Sequence, residues 1–303
     1  MDTPTSWGSL PHHHRFDYSA IPARTDFTWP QGKRLAVYLG FNIEHFAFGS
    51  GLGANIGPTS RQPDVLNYMW REYGNRVGVW RCLDLFDDLC LPTGAIINTA
   101  LYDHCPEVIA ACVQRGDELI GHGHSNTERQ ADLSQEKEAL LLQYCAQRIQ
   151  TISGVRPTGW LSPWISESLA TPDLLAEAGY AYTLNWCHDD QPVMVHTRTA
   201  QTLWSIPYPQ ELNDIPMIMA RQMDAQDFAQ MIIDQFDEML SQTCHPQRAQ
   251  SLVMGIALHP YIMGQPYRLK HLRRALQHIV AHRESIWITT PGAICKAAQA
   301  LPV

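Results

Sequence analysis

A carboxylate and two imidazoles stand at the ends of apolar segments that are far apart in the sequence. The carboxylate is Glu44, and the imidazoles are His122 and His259. A single histidine in such a position is more often structural than catalytic. Ionisable groups at three equivalent positions, however, suit the proton transfers of a hydrolysis, in which one group activates water and another protonates the leaving atom. We therefore predict that Glu44, His122 and His259 are catalytic.

Further polar and aromatic side chains follow the same segments and are candidates for substrate binding. They are Asn42, His124, Asn126, Trp160, Trp164, Trp186, Asp189, Tyr208, Glu211 and Arg268. The three indoles suit the walls of a pocket for a flat or ring-shaped ligand, although each is also large enough to be core. Arg268 lies in a loop or lid at 261–268 and would bring a guanidinium to an anionic group.

These side chains can meet only if their segments are neighbouring strands that run in the same direction. Apolar, β-rich runs alternate with amphipathic runs along the chain. The predicted strands are residues 34–44, 94–100, 118–122, 158–162, 182–187, 202–207, 251–258 and 285–290. The predicted helices lie near 77–89, 106–115, 138–152, 172–178, 224–242 and 269–280, with a last one from Pro291, and a long loop covers 49–63.

Seven or eight alternations of strand and helix indicate an α/β fold in which parallel strands form a (β/α) barrel. In such barrels the chemistry lies at the carboxyl ends of the strands, where the candidates above fall. A doubly wound open sheet is the alternative, but no Gly-x-Gly-x-x-Gly follows the first strand. We expect one barrel domain at 34–303, with residues 1–33 as an N-terminal extension packed on or near it.

Composition narrows the classes of partner. The chain has 303 residues, of which 45% are hydrophobic, and a net charge of -8, so we expect a folded protein that does not bind nucleic acid. No run approaches the roughly 18 apolar residues of a membrane span. The start of the chain lacks a signal-peptide pattern, and eight cysteines without a Cys-x2-Cys pair suggest reduced core thiols, so we expect a cytoplasmic location.

The expected partner is a small-molecule substrate, and a homo-oligomer is a further expectation. The aromatic-rich stretch at 68–80 suits an interface between subunits. A helix and turn packed on the barrel would explain the same residues equally well.

Four short motifs resemble those of the polysaccharide deacetylase superfamily. They are Asn42-x-Glu44, His122-Gly123, Trp160-x-Ser162-Pro163 and Leu258-His259-Pro260, and they occur in the family's order between about 34 and 290. The first motif is most similar to that of the branch with allantoinase-type and cyclic-imide-hydrolysing enzymes. The resemblance implies a distorted (β/α) barrel of seven to eight strands, of the NodB-like type.

The same resemblance exposes two departures that concern a metal. In metal-dependent members, the positions of Asn42 and Glu44 hold the base and a ligand carboxylate, and those of His122 and Asn126 hold two ligand histidines. A carboxamide cannot take a proton at neutral pH and is a poor zinc ligand. The resemblance therefore favours no cofactor. The alternative is one divalent metal such as zinc on Glu44, His122, His124 and Glu128, because His124 and Glu128 have i, i+4 spacing.

We predict a hydrolase that cleaves the carbon–nitrogen bond of a small cyclic amide, imide or ureide without a metal. Glu44 or His122 would activate water, His259 would protonate nitrogen, and Asn42 and Asn126 would donate to substrate carbonyls. One alternative is a metal-dependent N-deacetylase of an acetylated sugar or small amide, which belongs to carbohydrate metabolism. The other is a non-catalytic relative that binds a ligand on the same rim.

Overall fold

A curled, mostly parallel sheet carries the candidate residues in the computed structural model, which describes residues 12–247 and 249–301. Its strands are β1 (Leu35–Ile43), β2 (Thr93–Ile97), β3 (Glu118–Gly121), β4 (Gly159–Trp160), β5 (Tyr182–Thr183), β6 (Val193–Val195), β7 (Leu203–Ser205), β8 (Leu252–Leu258) and β9 (Trp287–Thr289). Their order is β6-β7-β5-β4-β3-β2-β1-β8, and β9 pairs with the first half of β1. Only β6 is antiparallel to its neighbour.

Helices cover the outside of the sheet and connect successive strands. They are α1 (Val65–Tyr73), α2 (Val79–Asp88), α3 (Leu101–His104), α4 (Pro106–Arg115), α5 (Gln135–Ser153), α6 (Thr171–Glu177), α7 (Ala225–Thr243), α8 (Pro260–Met263), α9 (Pro266–Ala281) and α10 (Pro291–Gln299). Short π-helical turns occupy Gly74–Gly78 and Ile215–Ala220.

The first strand shows how the sequence directs side chains into the barrel. All nine residues of β1 are buried, as a strand covered on both faces requires. Residues 35, 37, 39, 41 and 43 pack in the cluster shared with the outer helices, whereas Ala36 and Tyr38 belong to the interior cluster. Because side chains alternate along a strand, Asn42 and Glu44 continue the interior row toward the carboxyl end.

The barrel is not fully closed. Strands β7 and β8 end the parallel series, and between them the described residues form one isolated bridge, which joins Asn213 to Ala257. The backbone N–H of Ala257 also donates to the carbonyl of Leu212 at 2.8 Å. The predicted distorted (β/α) barrel is therefore confirmed, with β6 as an additional strand that the sequence analysis missed.

The largest difference from the predicted elements lies at 68–80, where only the start of one helix, near 77–89, was predicted. This stretch contains the end of α1, a π turn and the start of α2, and these pack directly on α8. A side chain at Gly74 would collide with the backbone of Tyr261, and one at Gly78 would collide with that of Pro260. The two glycines therefore let this stretch press α8 against the carboxyl end of β1.

Two other local expectations need correction. The predicted strand at 182–187 pairs only at Tyr182–Thr183, after which the chain leaves the sheet. The long helix α5 begins before the predicted 138, and its N-cap is Ser134, whose hydroxyl accepts from the N–H of Lys137. All eight cysteines are free, but Cys90, Cys187 and Cys244 are exposed and are not core thiols.

Residues 12–33 contact the barrel at several points. The buried Trp29 donates from its indole N–H to the carbonyl of Leu252 at 3.0 Å, and Arg24 forms an ion pair with Asp189. The expected first part of the extension, residues 1–11, lies outside the described residues. Within the described part of the chain, no helix combines the length and apolarity needed to cross a membrane.

Candidate active site

Glu44 lies between the two predicted catalytic imidazoles. Its Oε1 is 3.5 Å from Nε2 of His122 and 3.6 Å from Nε2 of His259. All three side chains are at most 5% exposed. They meet because β1, β3 and β8 end at the same rim of the sheet, with β2 and β8 on either side of β1. The three predicted groups thus share one site.

The carboxylate of Glu44 is also held by two neutral donors. Asn126 donates from Nδ2 to Oε1, and the hydroxyl of Tyr261 donates to Oε2 at 2.7 Å. Burial alone would raise the pKa of Glu44, but the charge of His259 and contacts with both imidazoles hold this pKa well below its usual range. Glu44 is therefore a fixed anion at neutral pH.

The orientation of His122 is set by the backbone. Its Nδ1 lies 2.7 Å from the carbonyl oxygen of Leu161, which can only accept, so Nδ1 carries a proton. In the neutral imidazole, Nε2 then has a free lone pair directed toward Glu44. This buried Nε2 has no hydrogen-bond partner within the described protein. It is available to take a proton from a reactant in the cavity.

His259 has a carboxylate on each side. Asp214 accepts from the backbone N–H of His259 at 2.7 Å and from its Nδ1 at 2.6 Å, and Glu44 faces Nε2. Burial opposes the imidazolium, but the charges of Asp214 and Glu44 outweigh it and raise the pKa of His259 to about 10. His259 is therefore cationic at neutral pH, and its Nε2 carries a proton toward the cavity.

These groups open into a cavity of about 290 Å³. It is lined by Asn42, Glu44, Phe46, Ala54, His122, Asn126, Leu161, Trp164, Ile165, Tyr208, Gln210, Asn213, Ile215, Pro216, Ala220, His259 and Tyr261, which include no lysine or arginine. Of the predicted binding residues, Asn42, Asn126, Trp164 and Tyr208 are present.

The two asparagines line the cavity as predicted, and each also donates within the protein. Nδ2 of Asn42 donates to the hydroxyl of Tyr208 at 3.0 Å, and Nδ2 of Asn126 donates to Glu44. The donation of both to substrate carbonyls stays a prediction. Trp164 forms part of the wall, 38% exposed, with its indole N–H donating to the carbonyl of Asn126 at 3.0 Å.

Two residues predicted to line the pocket lie in other parts of the protein. Trp160 is fully buried in the cluster beneath α5 and α6, where its indole N–H donates to Gln130 and Ser162. His124 turns toward Thr99, whose hydroxyl is 3.0 Å from Nδ1. Glu128 is exposed to solvent. The alternative metal set with His124 and Glu128 is therefore not assembled.

Four more candidates fall beyond the cavity, three of them on loops and one on a helix. Trp186 packs edge-on against Phe16 of the N-terminal segment, with ring centroids 5.3 Å apart. Asp189 is paired with Arg24. The side chain of Glu211 is 74% exposed, and Arg268 lies on α9, where it donates to the carbonyl of Ile262 and stacks on Tyr267.

Sequence reasoning missed three residues that hold the candidate side chains, namely Asp214, Tyr261 and Asn98, which bond to His259, Glu44 and Asn126 respectively. Asp214 follows the predicted strand at 202–207, and Tyr261 follows the predicted strand at 251–258. Both segments had already been noted for their position after a strand. Their importance depends on which partner they face, and that partner is distant in sequence.

The donor set around Glu44 does not fit a zinc ion. Zinc sites use three or four His, Cys, Asp or Glu ligands, and no three such residues are grouped as metal donors in 12–247 or 249–301. Asn126 already uses its nitrogen on Glu44 and its oxygen on Asn98. Both carboxylate oxygens of Glu44 also accept hydrogen bonds from protein donors.

The fold is a curled (β/α) barrel with acid and base side chains at the carboxyl ends of its strands. This is the arrangement found in barrel enzymes. No protein-family model matches the chain. The peptidoglycan deacetylase of Helicobacter pylori is 26% identical over 288 residues, which cover 85% of this chain and 94% of that protein. The chain is also 25% identical over 286 residues to a putative polysaccharide deacetylase of Schizosaccharomyces pombe, with 89% of this chain and 87% of that protein covered.

Solved structures show the same fold. A probable polysaccharide deacetylase from Pseudomonas aeruginosa is similar with a TM-score of 0.78 and 24% identity, over 94% of this chain and 96% of that one. The PuuE allantoinase is similar with a TM-score of 0.77 and 24% identity, over 99% and 98% of the two chains. The names deacetylase and allantoinase agree with the prediction of a hydrolase that acts on carbon–nitrogen bonds other than peptide bonds.

The different positions of two tryptophans predict different effects of the same substitution. Trp160→Phe leaves two buried acceptors without their donor and should lower the free energy of unfolding by about 1 to 3 kcal/mol, with KM unchanged. Trp164→Phe should raise KM by about two- to tenfold with little loss of stability. Urea unfolding and steady-state kinetics on both variants measure this. A larger change in KM for Trp160→Phe than for Trp164→Phe would contradict the assignment.

Proposed function

We propose that the protein hydrolyses the carbon–nitrogen bond of a small cyclic amide, imide or ureide, using its own side chains in place of a metal. The observation that carries this proposal is the contact of one carboxylate oxygen of Glu44 with Nε2 of both His122 and His259. This places a proton acceptor, an anion and a proton donor around one cavity. An amide hydrolysis requires a base that deprotonates water, a positive charge that stabilises the oxyanion and an acid that protonates the leaving nitrogen.

His122 is the base, and Glu44 is the anion that supports it. The lone pair of His122 on Nε2 is unpartnered, whereas both oxygens of Glu44 already accept hydrogen bonds. The depressed pKa of Glu44 makes it a weak proton acceptor. When His122 takes the proton from water, the nearby negative charge stabilises the imidazolium that forms.

His259 is the acid. Its Nδ1 proton is committed to Asp214, so the proton on Nε2 is the one that can leave toward the cavity. The same positive charge can stabilise the oxyanion that develops on the carbonyl oxygen before the carbon–nitrogen bond breaks. Asp214 keeps the imidazole oriented, since it accepts from both the ring and the backbone of the same residue.

The atoms balance without a further reactant. Water loses one proton to Nε2 of His122 and forms the new carbon–oxygen bond. The carbon–nitrogen bond breaks as nitrogen takes the proton from Nε2 of His259. Transfer of the proton from His122 to His259 then returns both imidazoles to their starting forms, and a ring substrate yields one open-chain product with a carboxylic acid and a nitrogen group. The carboxylic acid then releases its proton to water and becomes a carboxylate.

The size and lining of the cavity support a small, compact substrate. Its volume of about 290 Å³ lies at the lower end of ligand pockets. Its lining combines the apolar side chains of Phe46, Leu161 and Trp164 with the carboxamides of Asn42 and Asn213. A planar ring with alternating carbonyl and N–H groups can contact both kinds of wall. The similarity in fold to an allantoinase, over 99% of this chain, is consistent with this proposal.

The second candidate is the removal of an acetyl group from an acetylated sugar or small amide. It is favoured by the name of the H. pylori relative, which matches 85% of this chain. Hydantoin, succinimide and allantoin should be tested beside N-acetylated sugars. Turnover of the rings alone supports the first proposal, turnover of the sugars alone supports the second, and thermal shifts without product indicate a ligand-binding protein.

Removal of either catalytic group should abolish most of the turnover. Glu44→Gln and His259→Ala should each lower kcat by about 10² to 10⁴ while the far-ultraviolet circular dichroism is unchanged. His271→Ala on α9, outside the cavity, is the matched histidine control and should retain activity. Near-native turnover by Glu44→Gln or His259→Ala would refute the assignment.

The alkaline limb of the pH profile should report His259. Its protonated form is the active one, and its pKa is raised to about 10, so kcat/KM should fall as the pH rises through about 10. Asp214→Asn removes the charge that raises this pKa, so the limb should move to lower pH by about one unit or more. An unchanged alkaline limb in Asp214→Asn would show that another group is the acid.

Metal removal should leave activity intact. Dialysis against a chelator should not change kcat, and elemental analysis of the active protein should find far less than one zinc, iron or nickel per chain. Added zinc should not stimulate the chelated protein, because Asn126 and Glu44 already use their polar atoms on protein partners. Loss of activity on chelation, with recovery on adding zinc, would instead support the N-deacetylase alternative.

A further inference from the structure

We infer that Asn98 is a positioning residue that fixes the orientation of the Asn126 carboxamide and, through it, the carboxylate of Glu44. Asn98 directly follows β2, between the two strands that carry Glu44 and His122. It is fully buried. It does not line the reaction cavity, so any effect on the reaction must pass through its neighbours.

Every polar side-chain atom of Asn98 is used, and each contact reaches the ends of β1 or β3. Its Oδ1 accepts the backbone N–H of His45 at 2.8 Å. Its Nδ2 donates both to the carbonyl of His122 and to Oδ1 of Asn126, the latter at 2.9 Å. One carboxamide thus ties together the residue after Glu44, the base His122 and the donor Asn126.

The contact with Asn126 has a chemical consequence. A carboxamide can rotate by half a turn and exchange its oxygen and nitrogen ends, so its orientation depends on its partners. Because Asn98 presents an N–H to Asn126, the oxygen end of Asn126 must face Asn98. Its nitrogen end must then face Glu44, to which it donates. The reversed orientation would direct an oxygen at the buried carboxylate and remove one of its two neutral donors.

The effect on the reaction follows from the role of Glu44 as a fixed anion. With the Asn126 N–H in place, the carboxylate is held toward both imidazoles; without it, the carboxylate can turn away from Nε2 of His122. Asn98 should therefore influence kcat more than KM, because it does not touch the substrate cavity. This inference rests on the proposed function for its kinetic test only.

A double-mutant cycle separates this role from general support of the fold. Asn98→Ala and Asn126→Ala should each lower kcat by about 10- to 100-fold, with KM within about threefold. If Asn98 acts through Asn126, the double variant should be within about threefold of Asn126→Ala. Asn185→Ala is the matched control, because Asn185 is a buried carboxamide after β5 that bonds across to Ser162 after β4. Any factor by which Asn185→Ala lowers kcat should multiply with the factor for Asn126→Ala when the two substitutions are combined.

A second measurement needs no substrate. The side-chain amide protons of Asn126, identified in ¹⁵N-labelled protein by their absence in Asn126→Ala, should exchange slowly in the wild type and in Asn185→Ala. They should exchange about tenfold faster or more in Asn98→Ala. Asn98→Asp provides a variant of equal size that keeps the acceptor for His45 N–H but lacks the donor to Asn126, and it should show the same faster exchange.

The outcomes are distinct. Losses in kcat that multiply in the Asn98→Ala, Asn126→Ala double variant, or unchanged amide exchange in Asn98→Ala and Asn98→Asp, would overturn the inference while leaving the proposed hydrolysis intact. If none of the tested substrates is hydrolysed by the wild type, the proposed function fails, and the exchange experiment still decides whether Asn98 orients Asn126.

Discussion

The burial of one charged carboxylate governs the arrangement of the whole site. A carboxylate removed from water costs several kcal/mol unless its charge is balanced and its oxygens are hydrogen-bonded. Glu44 is 5% exposed, and it is compensated by two neutral donors and by the imidazolium of His259. These partners come from the ends of β3 and β8 and from α8, so the carboxylate is compensated only where the barrel brings these elements together.

The barrel can surround that carboxylate because several interior positions lack side chains. A methyl group at Gly40 would lie 3.3 Å from the ring of Tyr208, and one at Gly255 would lie 2.8 Å from the ring of Tyr38. Both tyrosines pass through the interior, where Tyr208 bonds to Asn42 and Tyr38 bonds to the carbonyl of Pro207. The interior is therefore filled in part by these two rings, of which Tyr208 also lines the cavity.

The convergence of Glu44, His122 and His259 was predictable, as was the barrel, because both follow from the alternation of strands and helices. Strand-like runs in a repeating order imply a parallel sheet, and parallel strands place their carboxyl ends on one rim. Loop conformation was not predictable in this way. Trp160 and Trp164 are four residues apart, yet Trp160 faces the helices, whereas Trp164 follows a turn with a φ of +63° and reaches the cavity. Asp189 and Trp186 turn toward the N-terminal segment, and their contacts with Arg24 and Phe16 are not visible in the sequence around either residue.

The positioning residues escaped prediction for a different reason. Asn98, Asp214 and Tyr261 are defined by contacts with residues 28 or more positions away, so their local sequence carries no signal. Asn98 and Tyr261 also complete the hydrogen-bond network around the Asn126 carboxamide, at the position for which the resemblance implies a ligand histidine in metal-dependent members. Asn126 is a useful donor to Glu44 only while Asn98 holds its oxygen and Tyr261 occupies the second carboxylate oxygen. The contribution of the Asn126 carboxamide to the site therefore depends on the hydrogen bonds that surround it.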